Sequence, residues 1–166
     1  MFLPQIRFCE RRDIPALLDV NGLSPHPWPE SAIVGDLADP SVPGTASGGP
    51  SYLGAFALSA GSRLLGYAAM GHEDRFALLM GLVVRPEYRR RGIGTQLVLA
   101  VAECARSIGR TRLILRVRES NFPARSLYER LSFRRETTCV RYYSDGENAV
   151  RMGLPLVPGF PGLWTG

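Results

Sequence analysis

An apolar run, a basic turn and two glycines follow one another in one short stretch, and this order constrains the fold most strongly. The run from Leu78 to Val84 is aliphatic and partly β-branched, and it ends before Pro86, which cannot continue a hydrogen-bonded ladder. Gly92 and Gly94 follow, and a helical pattern begins near Ile93. A strand, a glycine turn and a helix N-terminus in succession direct backbone N–H groups at one place. Such a place favours the binding of a phosphate or pyrophosphate.

The composition is that of a folded protein of moderate size. With 166 residues, 45% hydrophobic and 21% charged, we expect one domain over 1–155 and a Pro/Gly-rich tail over 156–166. No apolar run approaches the roughly 20 residues that cross a bilayer, and no signal-peptide pattern is present, so we expect a cytoplasmic protein without a membrane partner. Cys9, Cys104 and Cys139 are odd in number and widely spaced. We therefore expect buried free thiols and no metal site.

The charge is positive and comes entirely from arginine. The formal net charge is +5, and the sequence contains no lysine. A basic surface favours acidic partners such as phosphorylated cofactors. Because no nucleic-acid-binding motif is visible, we expect no direct contact with nucleic acid.

Strand and helix patterns alternate along the chain. Turn residues and hydrophobic periodicity predict these elements in order. The predicted strands are 5–9, 52–58, 64–70, 78–84, 112–118, 133–143 and 149–154. The predicted helices are 14–20, 30–37, 93–108 and 124–131, and the segment 39–51 is predicted to be a flexible loop.

Two motifs resemble those of the GNAT N-acetyltransferases. Arg89-x-x-Gly92-x-Gly94 matches the Q/R-x-x-G-x-G/A signature of that family, and it lies between a strand and a helix as the family requires. Further along, 121–133 resembles the element N-x-x-A-x-x-L-Y-x-x-x-G-F, with Ser132 in place of the glycine. The resemblance implies an α/β GNAT fold, with a mixed, mostly antiparallel, splayed sheet of about six to seven strands and about four helices. It also implies acetyl-CoA as co-substrate and no metal.

A narrower similarity is to the RimI-type ribosomal protein-alanine N-acetyltransferases. It rests on Trp28 in a Pro-Trp-Pro-Glu loop and on Tyr142 and Tyr143 before an Asp-Gly turn. In that subgroup these elements border the channel that receives a protein N-terminus. The similarity thus implies a peptide or protein acceptor, of which a ribosomal protein is one candidate, bound by a monomer or a homodimer. The competing interpretation is that the three aromatic rings only fill gaps or pack on the sheet.

By position, the resemblance assigns residues to the cofactor. The fourth strand is expected to pair with the pantetheine arm through the backbone of Leu82, Val83 and Val84, with a Val84 N–H stabilising the oxyanion. The phosphates are expected at Arg89, Arg90, Arg91, Gly92, Ile93, Gly94 and Thr95, and one or two arginines among these and Arg85 are expected to touch the cofactor. Asn121 is expected to hydrogen-bond the cofactor, and Tyr128 to protonate the departing thiolate.

The sequence departs from the RimI pattern at the general base. The glutamate expected on the fifth strand is replaced by Arg116, which cannot accept a proton at ordinary pH. Glu73 and Asp74 are candidate substitutes acting through water. About a quarter of α-amines are already neutral at pH 7.4, so the loss is tolerable for an N-terminal acceptor. Two alternatives stay open: an acetyltransferase for small amines in which Arg116 clamps an acidic group, and a non-catalytic acetyl-CoA-binding module.

Overall fold

The computed structural model describes residues 3–38, 49–59 and 61–156. The strands are β1 (Gln5–Phe8), β2 (Ser51–Phe56), β3 (Leu64–Glu73), β4 (Phe76–Val84), β5 (Arg112–Arg118), β6 (Arg134–Cys139) and β7 (Ala149–Pro155). The α-helices are α1 (Ile14–Asn21), α2 (Glu30–Ala38), α3 (Ile93–Ser107) and α4 (Phe122–Arg130), with 3-10 turns at Arg11–Asp13 and Pro86–Tyr88. The predicted tail lies outside the described residues except for its first residue, as does most of the predicted loop at 39–51.

The strands form one mixed sheet. Hydrogen-bonded neighbours follow the order β1-β2-β3-β4-β5-β7-β6. The pairs β1–β2, β2–β3, β5–β7 and β6–β7 are antiparallel, whereas β4 and β5 are parallel. Parallel neighbours need a long crossover, which α3 supplies between these two strands. The predicted fold class, a mostly antiparallel sheet with helices, is confirmed.

The chain forms two compact units. The first unit contains the described residues of 3–71 and 81–101, and the second unit contains 72–80 and 102–156. That both belong to a single domain stays a prediction.

The first unit has its core between β2, β3 and the helices α1 and α2. Helix α1 buries Leu17, Val20 and Asn21, a spacing that places all three on one face. The large buried side chains of this core are Leu17, Ile33, Tyr52, Phe56, Leu64 and Tyr67.

The second unit has its core around β5 and β7. Strand β5 alternates between the two faces of the sheet, as its period-two pattern predicts. Its odd-numbered residues Leu113, Leu115 and Val117 are buried, and its arginines Arg112, Arg116 and Arg118 are half-buried on the other face. None of the helices in the described ranges has the length and hydropathy to span a membrane.

The prediction of a strand over 133–143 was wrong at its C-terminal end. Strand β6 ends at Cys139, so Tyr142 and Tyr143 lie in the connection to β7 rather than on a strand. Arg141 has a φ of +51°, which breaks the extended conformation. The Tyr143 amide then donates to the Glu147 carbonyl, and the Gly146 amide donates to the Tyr143 carbonyl, so the chain forms a turn. We call residues 140–148 the tyrosine turn.

Candidate active site

The C-terminal half of β4 has no registered partner in β5 among the described residues. The registered pairs of β4 with β5 run from Phe76 to Leu79 only. On the other side, the Arg85 amide donates to the Leu65 carbonyl of β3 at 2.8 Å. Because backbone groups alternate in direction along a strand, the Val84 N–H points away from β3. This orientation is the one that the predicted oxyanion contact requires.

Gly66 allows β3 and β4 to approach closely at this point. A Cβ at Gly66 would lie 2.7 Å from the carbonyl oxygen of Val83 and 3.1 Å from the Cα of Val84. Real Cβ atoms do not approach backbone atoms so closely, so a side chain here would push β4 away. Gly66 therefore sets the position of the backbone predicted to hold the pantetheine arm, and the sequence analysis did not single it out.

The arginines of the basic turn have different environments. Arg85 is buried, with its Nε donating to the Leu64 carbonyl at 2.7 Å and its Nη2 to Asp19 at 2.5 Å. It is a core residue of the first unit. Arg89 is exposed and its Nε donates to the Val84 carbonyl at 3.1 Å, which ties the turn to the end of β4. The guanidinium carbon of Arg91 lies 5.4 Å from the ring centroid of Tyr88.

The glycine turn has the backbone conformation that its sequence predicts. Gly92 has a φ of +81° and Arg90 a φ of +59°. A Cβ at Gly92 would have only the Gln96 side chain nearby, at 3.9 Å, so the space above this glycine is open. The Gln96 amide makes the first α3 hydrogen bond, to the Gly92 carbonyl at 3.0 Å. The N–H groups before it, at Ile93, Gly94 and Thr95, occupy the positions where helices leave amides without intrahelical acceptors.

Trp28 is held by its backbone and packs on β4. Its N–H donates to Asn21 Oδ1 at 3.0 Å, and Asn21 Nδ2 donates to its carbonyl at 2.9 Å. The indole contacts Gly81, where a Cβ would lie 3.4 Å from Trp28 Cζ2, and it meets the Tyr52 ring edge-on at 6.1 Å. Tyr67 completes the arrangement by donating to Asn21 Oδ1 at 3.1 Å. The predicted gap-filling and substrate-bordering roles of Trp28 are both compatible with this position.

In the second unit, the motif beginning at Asn121 forms the start of α4. Asn121 Oδ1 accepts from the Ala124 amide at 3.3 Å, so this side chain is the N-cap of the helix. The predicted hydrogen bond from Asn121 to the cofactor stays a prediction. Because Oδ1 caps the helix, the side-chain Nδ2 group would make that bond. At the other end of the motif, Ser132 has a φ of +72°, the conformation that explains the glycine of the family pattern.

Tyr128 is a buried residue of α4. Its ring packs against Phe133 with centroids 5.7 Å apart. Burial raises the pKa of the Tyr128 hydroxyl, and the nearby Tyr143 adds a smaller effect in the same direction. The hydroxyl therefore stays protonated through the physiological range.

A cavity of about 240 Å³ lies in the second unit beside the tyrosine turn. It brings together three residues that the sequence analysis assigned to the acceptor: Arg116, Tyr142 and Tyr143. The remaining lining comes from β4 and β5, namely Leu78, Leu79, Met80, Ile114 and Leu115. The Arg116 guanidinium carbon is 5.7 Å from the centroid of the Tyr142 ring.

The two candidate bases differ in their placement. Glu73 ends β3, and its carboxylate lies 3.8 Å from the Arg116 guanidinium. Asp74 lies in the turn that follows, with a φ of +53° and its carbonyl accepting from Arg110 at 2.7 Å. Neither residue lines the described cavity. Among the described residues, Glu73 contacts the cavity residue Arg116, whereas Asp74 contacts Arg110, which does not line the cavity.

The tyrosine turn is fastened to the end of β5 by charged groups that the sequence analysis missed. Arg118 Nη1 contacts Asp145 at 2.7 Å and Glu147 at 2.9 Å, and its guanidinium carbon lies 4.0 Å from the Tyr143 ring centroid. Glu147 also accepts from the Ser120 amide at 3.0 Å and from its hydroxyl. The hydrogen bond from the Ser120 hydroxyl lowers the pKa of Glu147 most, followed by those from Arg118 and from the Ser120 amide. The arginines at alternate positions of β5 were the sequence feature that could have predicted these ion pairs.

Cysteines and metal ligands add no further candidate site. The three thiols are free, with Cys9 buried and Cys104 and Cys139 half-buried. Within the described ranges, no group of three His, Cys, Asp or Glu side chains could hold a metal ion.

Several curated proteins resemble the chain in sequence. It is 30% identical over 151 residues to the ribosomal protein bS18-alanine N-acetyltransferase of Escherichia coli K12, covering 89% of the chain and 94% of that relative. The Salmonella typhimurium enzyme of the same name is 30% identical over 148 residues, covering 87% and 92%. An N-alpha-acetyltransferase of Saccharolobus solfataricus is 39% identical over 79 residues, 47% of each chain. The match thus spans about half the length of this archaeal relative.

Solved structures and a family model agree with these relatives. The crystal structure of the ribosomal-protein-S18-alanine N-acetyltransferase from Escherichia coli has a TM-score of 0.75 at 26% identity, covering 98% of this chain and all of that one (100%). Ard1 from Thermoplasma volcanium has a TM-score of 0.76 at 20% identity, covering 93% and 98%, which shows a shared fold. The model of the Acetyltransferase (GNAT) family matches residues 24–133. The chain therefore belongs to the GNAT acetyltransferase family.

Proposed function

We propose that the protein transfers the acetyl group of acetyl-CoA to the α-amine of a protein N-terminus. A C–N bond forms to the acceptor and the C–S bond of the thioester breaks. The acceptor loses one proton, and CoA leaves as the thiol. The bS18-alanine relatives, similar over most of the chain, support this acceptor class.

The observation that carries the proposal is the run from β4 into α3. The Val84 N–H points away from β3, and the open Gly92 turn and the α3 N-terminus follow directly. These features fit a ligand that carries amides at one end and a pyrophosphate at the other, as acetyl-CoA does. The backbone groups of Leu82 and Val84, which point away from β3, would pair with the pantetheine arm, and Val83 lies between them with its carbonyl toward Gly66. The turn from Arg89 to Thr95 would hold the phosphates.

Two groups of the chain would stabilise charge during the transfer. The Val84 N–H would donate to the oxygen that becomes negative when the amine attacks the carbonyl. Tyr128 would donate to the sulfur as the C–S bond breaks. Because its pKa is raised, Tyr128 is a hydrogen-bond donor at every physiological pH, and the proton it gives is regained from solvent.

The proton of the acceptor amine needs a route that does not use Arg116. We assign it to water and to Glu73, whose carboxylate lies 3.8 Å from the cavity arginine. The positive charge of Arg116 also lowers the pKa of a neighbouring ammonium group, which raises the neutral fraction of the acceptor. An α-amine has a pKa of about 8, so a substantial fraction is already neutral near pH 7.5 without a strong general base.

A second candidate function is acetylation of a small amine that carries an acidic group. The observation that favours it is the half-buried guanidinium of Arg116 in the lining of the cavity. Arg116 would then clamp the acidic group.

The experiment is a turnover assay with acetyl-CoA at pH 7.5. Peptides with free and with blocked N-termini are compared with amino acids and polyamines, and CoA release and product mass are measured. Turnover of free-N-terminus peptides alone, reduced at least tenfold in Tyr128→Phe while acetyl-CoA binding persists, is expected. Turnover of amino acids, which carry an acidic group, together with inert peptides would establish the second candidate. Binding of acetyl-CoA without any turnover would instead make the protein a non-catalytic module.

A further inference from the structure

The β5–β7 pair places two positive side chains opposite each other. Arg116 and Arg151 are registered partners in the antiparallel ladder, so their side chains lie on the same face of the sheet. Directly opposed like charges destabilise a sheet unless negative groups compensate them. The acidic side chains near this pair therefore determine how much positive charge is left to attract a negatively charged ligand.

The other arginines of this face contact acidic side chains at shorter distances than Arg116 does. Arg112 and Arg151 both contact the Glu136 carboxylate, Arg151 at 3.5 Å. Arg118 contacts the two acids of the tyrosine turn. Glu136 is thus shared between two guanidinium groups, and the charge of Arg151 is only partly balanced.

Arg116 is the weakly compensated member. Its ion pair with Glu73 is long, at 3.8 Å, and the Glu73 side chain is 58% exposed, so solvent screens the attraction. The Arg116 side chain itself is 28% exposed, and it lines the cavity beside Tyr142. A half-buried guanidinium in a cavity with an apolar wall is a strong site for a carboxylate, because two parallel N–H groups bind both oxygens.

We propose that Arg116 is a specificity-determining residue that binds a carboxylate of the acceptor. The acceptor class is an N-terminal segment with Asp or Glu as its first or second residue. The apolar wall at Leu78, Met80 and Ile114 receives the methylene groups of that side chain, and Arg116 receives its charge. This inference rests on the proposed N-terminal acetylation and names the substrates of the same site.

The test measures kcat/KM for matched peptides with free N-termini. Pairs of peptides differ only by Glu or Gln at one position, which is position one, position two or, as a distant control, position five. A third peptide at each position carries Lys. We expect the wild-type protein to favour Glu over Gln about tenfold or more at one of the first two positions, as a charge-assisted contact implies. The preference should shrink as ionic strength rises, because salt screens a partly exposed pair.

Three variants link the preference to this residue. Arg116→Gln should reduce the Glu:Gln ratio to about one, and Arg116→Glu should reverse it in favour of Lys. Arg134→Gln removes the same charge from an exposed position on β6 and should leave the ratio unchanged. The ratio is compared within one protein sample, so a partial loss of folded protein does not alter it.

The outcomes separate the inference from the function on which it rests. Turnover of free-N-terminus peptides with equal rates for Glu and Gln, or a ratio that survives Arg116→Gln, would overturn the inference and leave the proposed function intact. Failure of every free-N-terminus peptide with the wild-type protein would overturn both.

Discussion

Asn21 and Trp28 hold each other through two reciprocal hydrogen bonds between a buried amide side chain and a peptide backbone. Asn21 receives the Trp28 N–H at 3.0 Å and donates to the Trp28 carbonyl at 2.9 Å. The Tyr67 hydroxyl donates to the same Asn21 oxygen. The position of the indole on Gly81 thus depends on a polar residue of α1, seven residues earlier in the chain.

Removing Asn21 should destabilise the first unit and displace Trp28. Asn21 is 3% exposed, so Asn21→Ala leaves buried donors and acceptors without partners. We expect the free energy of unfolding to fall by about 2–3 kcal/mol. Chemical denaturation measures this loss. Tyr67→Phe removes only one of the hydrogen bonds and should cost about 1 kcal/mol. Equal losses in the two variants would contradict the central role of Asn21.

Substituting Gly66 should weaken acetyl-CoA binding. In Gly66→Ala the new Cβ would collide with the Val83 carbonyl, so β4 must shift at the backbone predicted to bind the cofactor. We expect at least a tenfold rise in the Kd for acetyl-CoA, measured by calorimetry. Gly35→Ala is the matched control, because its Cβ meets nothing within 4 Å in α2 and the change should stabilise that helix by up to about 1 kcal/mol. An unchanged Kd in Gly66→Ala would show that the Val84 backbone, which moves together with Val83, does not contact the cofactor.

Replacing Ser132 by glycine should stabilise the protein. Ser132 holds a φ of +72°, which costs a residue with a side chain about 1 kcal/mol more than it costs glycine. We expect Ser132→Gly to raise the free energy of unfolding by about 0.5–1 kcal/mol and the Tm by about 2 °C. Ser126→Gly makes the same exchange inside α4 and should instead destabilise. A lower Tm for Ser132→Gly would show that the serine side chain stabilises this turn.

The rate of turnover should not fall at alkaline pH through ionisation of Tyr128. A raised pKa means that the hydroxyl keeps its proton to a higher pH than the ordinary tyrosine value of about 10. The kcat/KM for a peptide should therefore rise as the acceptor amine loses its proton near pH 8 and then stay level to about pH 10. Rates measured from pH 6 to 10 test this. A fall between pH 8 and 9 that is absent from Tyr128→Phe would show that Tyr128 ionises in this range.

Local sequence patterns predicted most of the elements. Strand β5 has the predicted bounds, and Gly109, directly after the helix predicted over 93–108, has a φ of +78°, as glycines that end helices often do. These features depend on short-range chemistry: period-two alternation on a strand and the freedom of glycine at positive φ. The bounds of β6 were wrong because the residues of the tyrosine turn have strand-like side chains. Their conformation is set by hydrogen bonds to Glu147 and by its contact with Arg118, 29 residues away.

The sequence by itself determined the GNAT family, the order of the elements, and the glycine turn before α3, because each depends on residues that are neighbours in the chain. Only the tertiary structure decided how the arginines differ. Arg85 is buried on Leu64 and Asp19, and Arg116 faces a cavity with a long ion pair to Glu73. An arginine in a sequence has one charge and one set of donors, and only the elements packed around it decide whether those donors are already used.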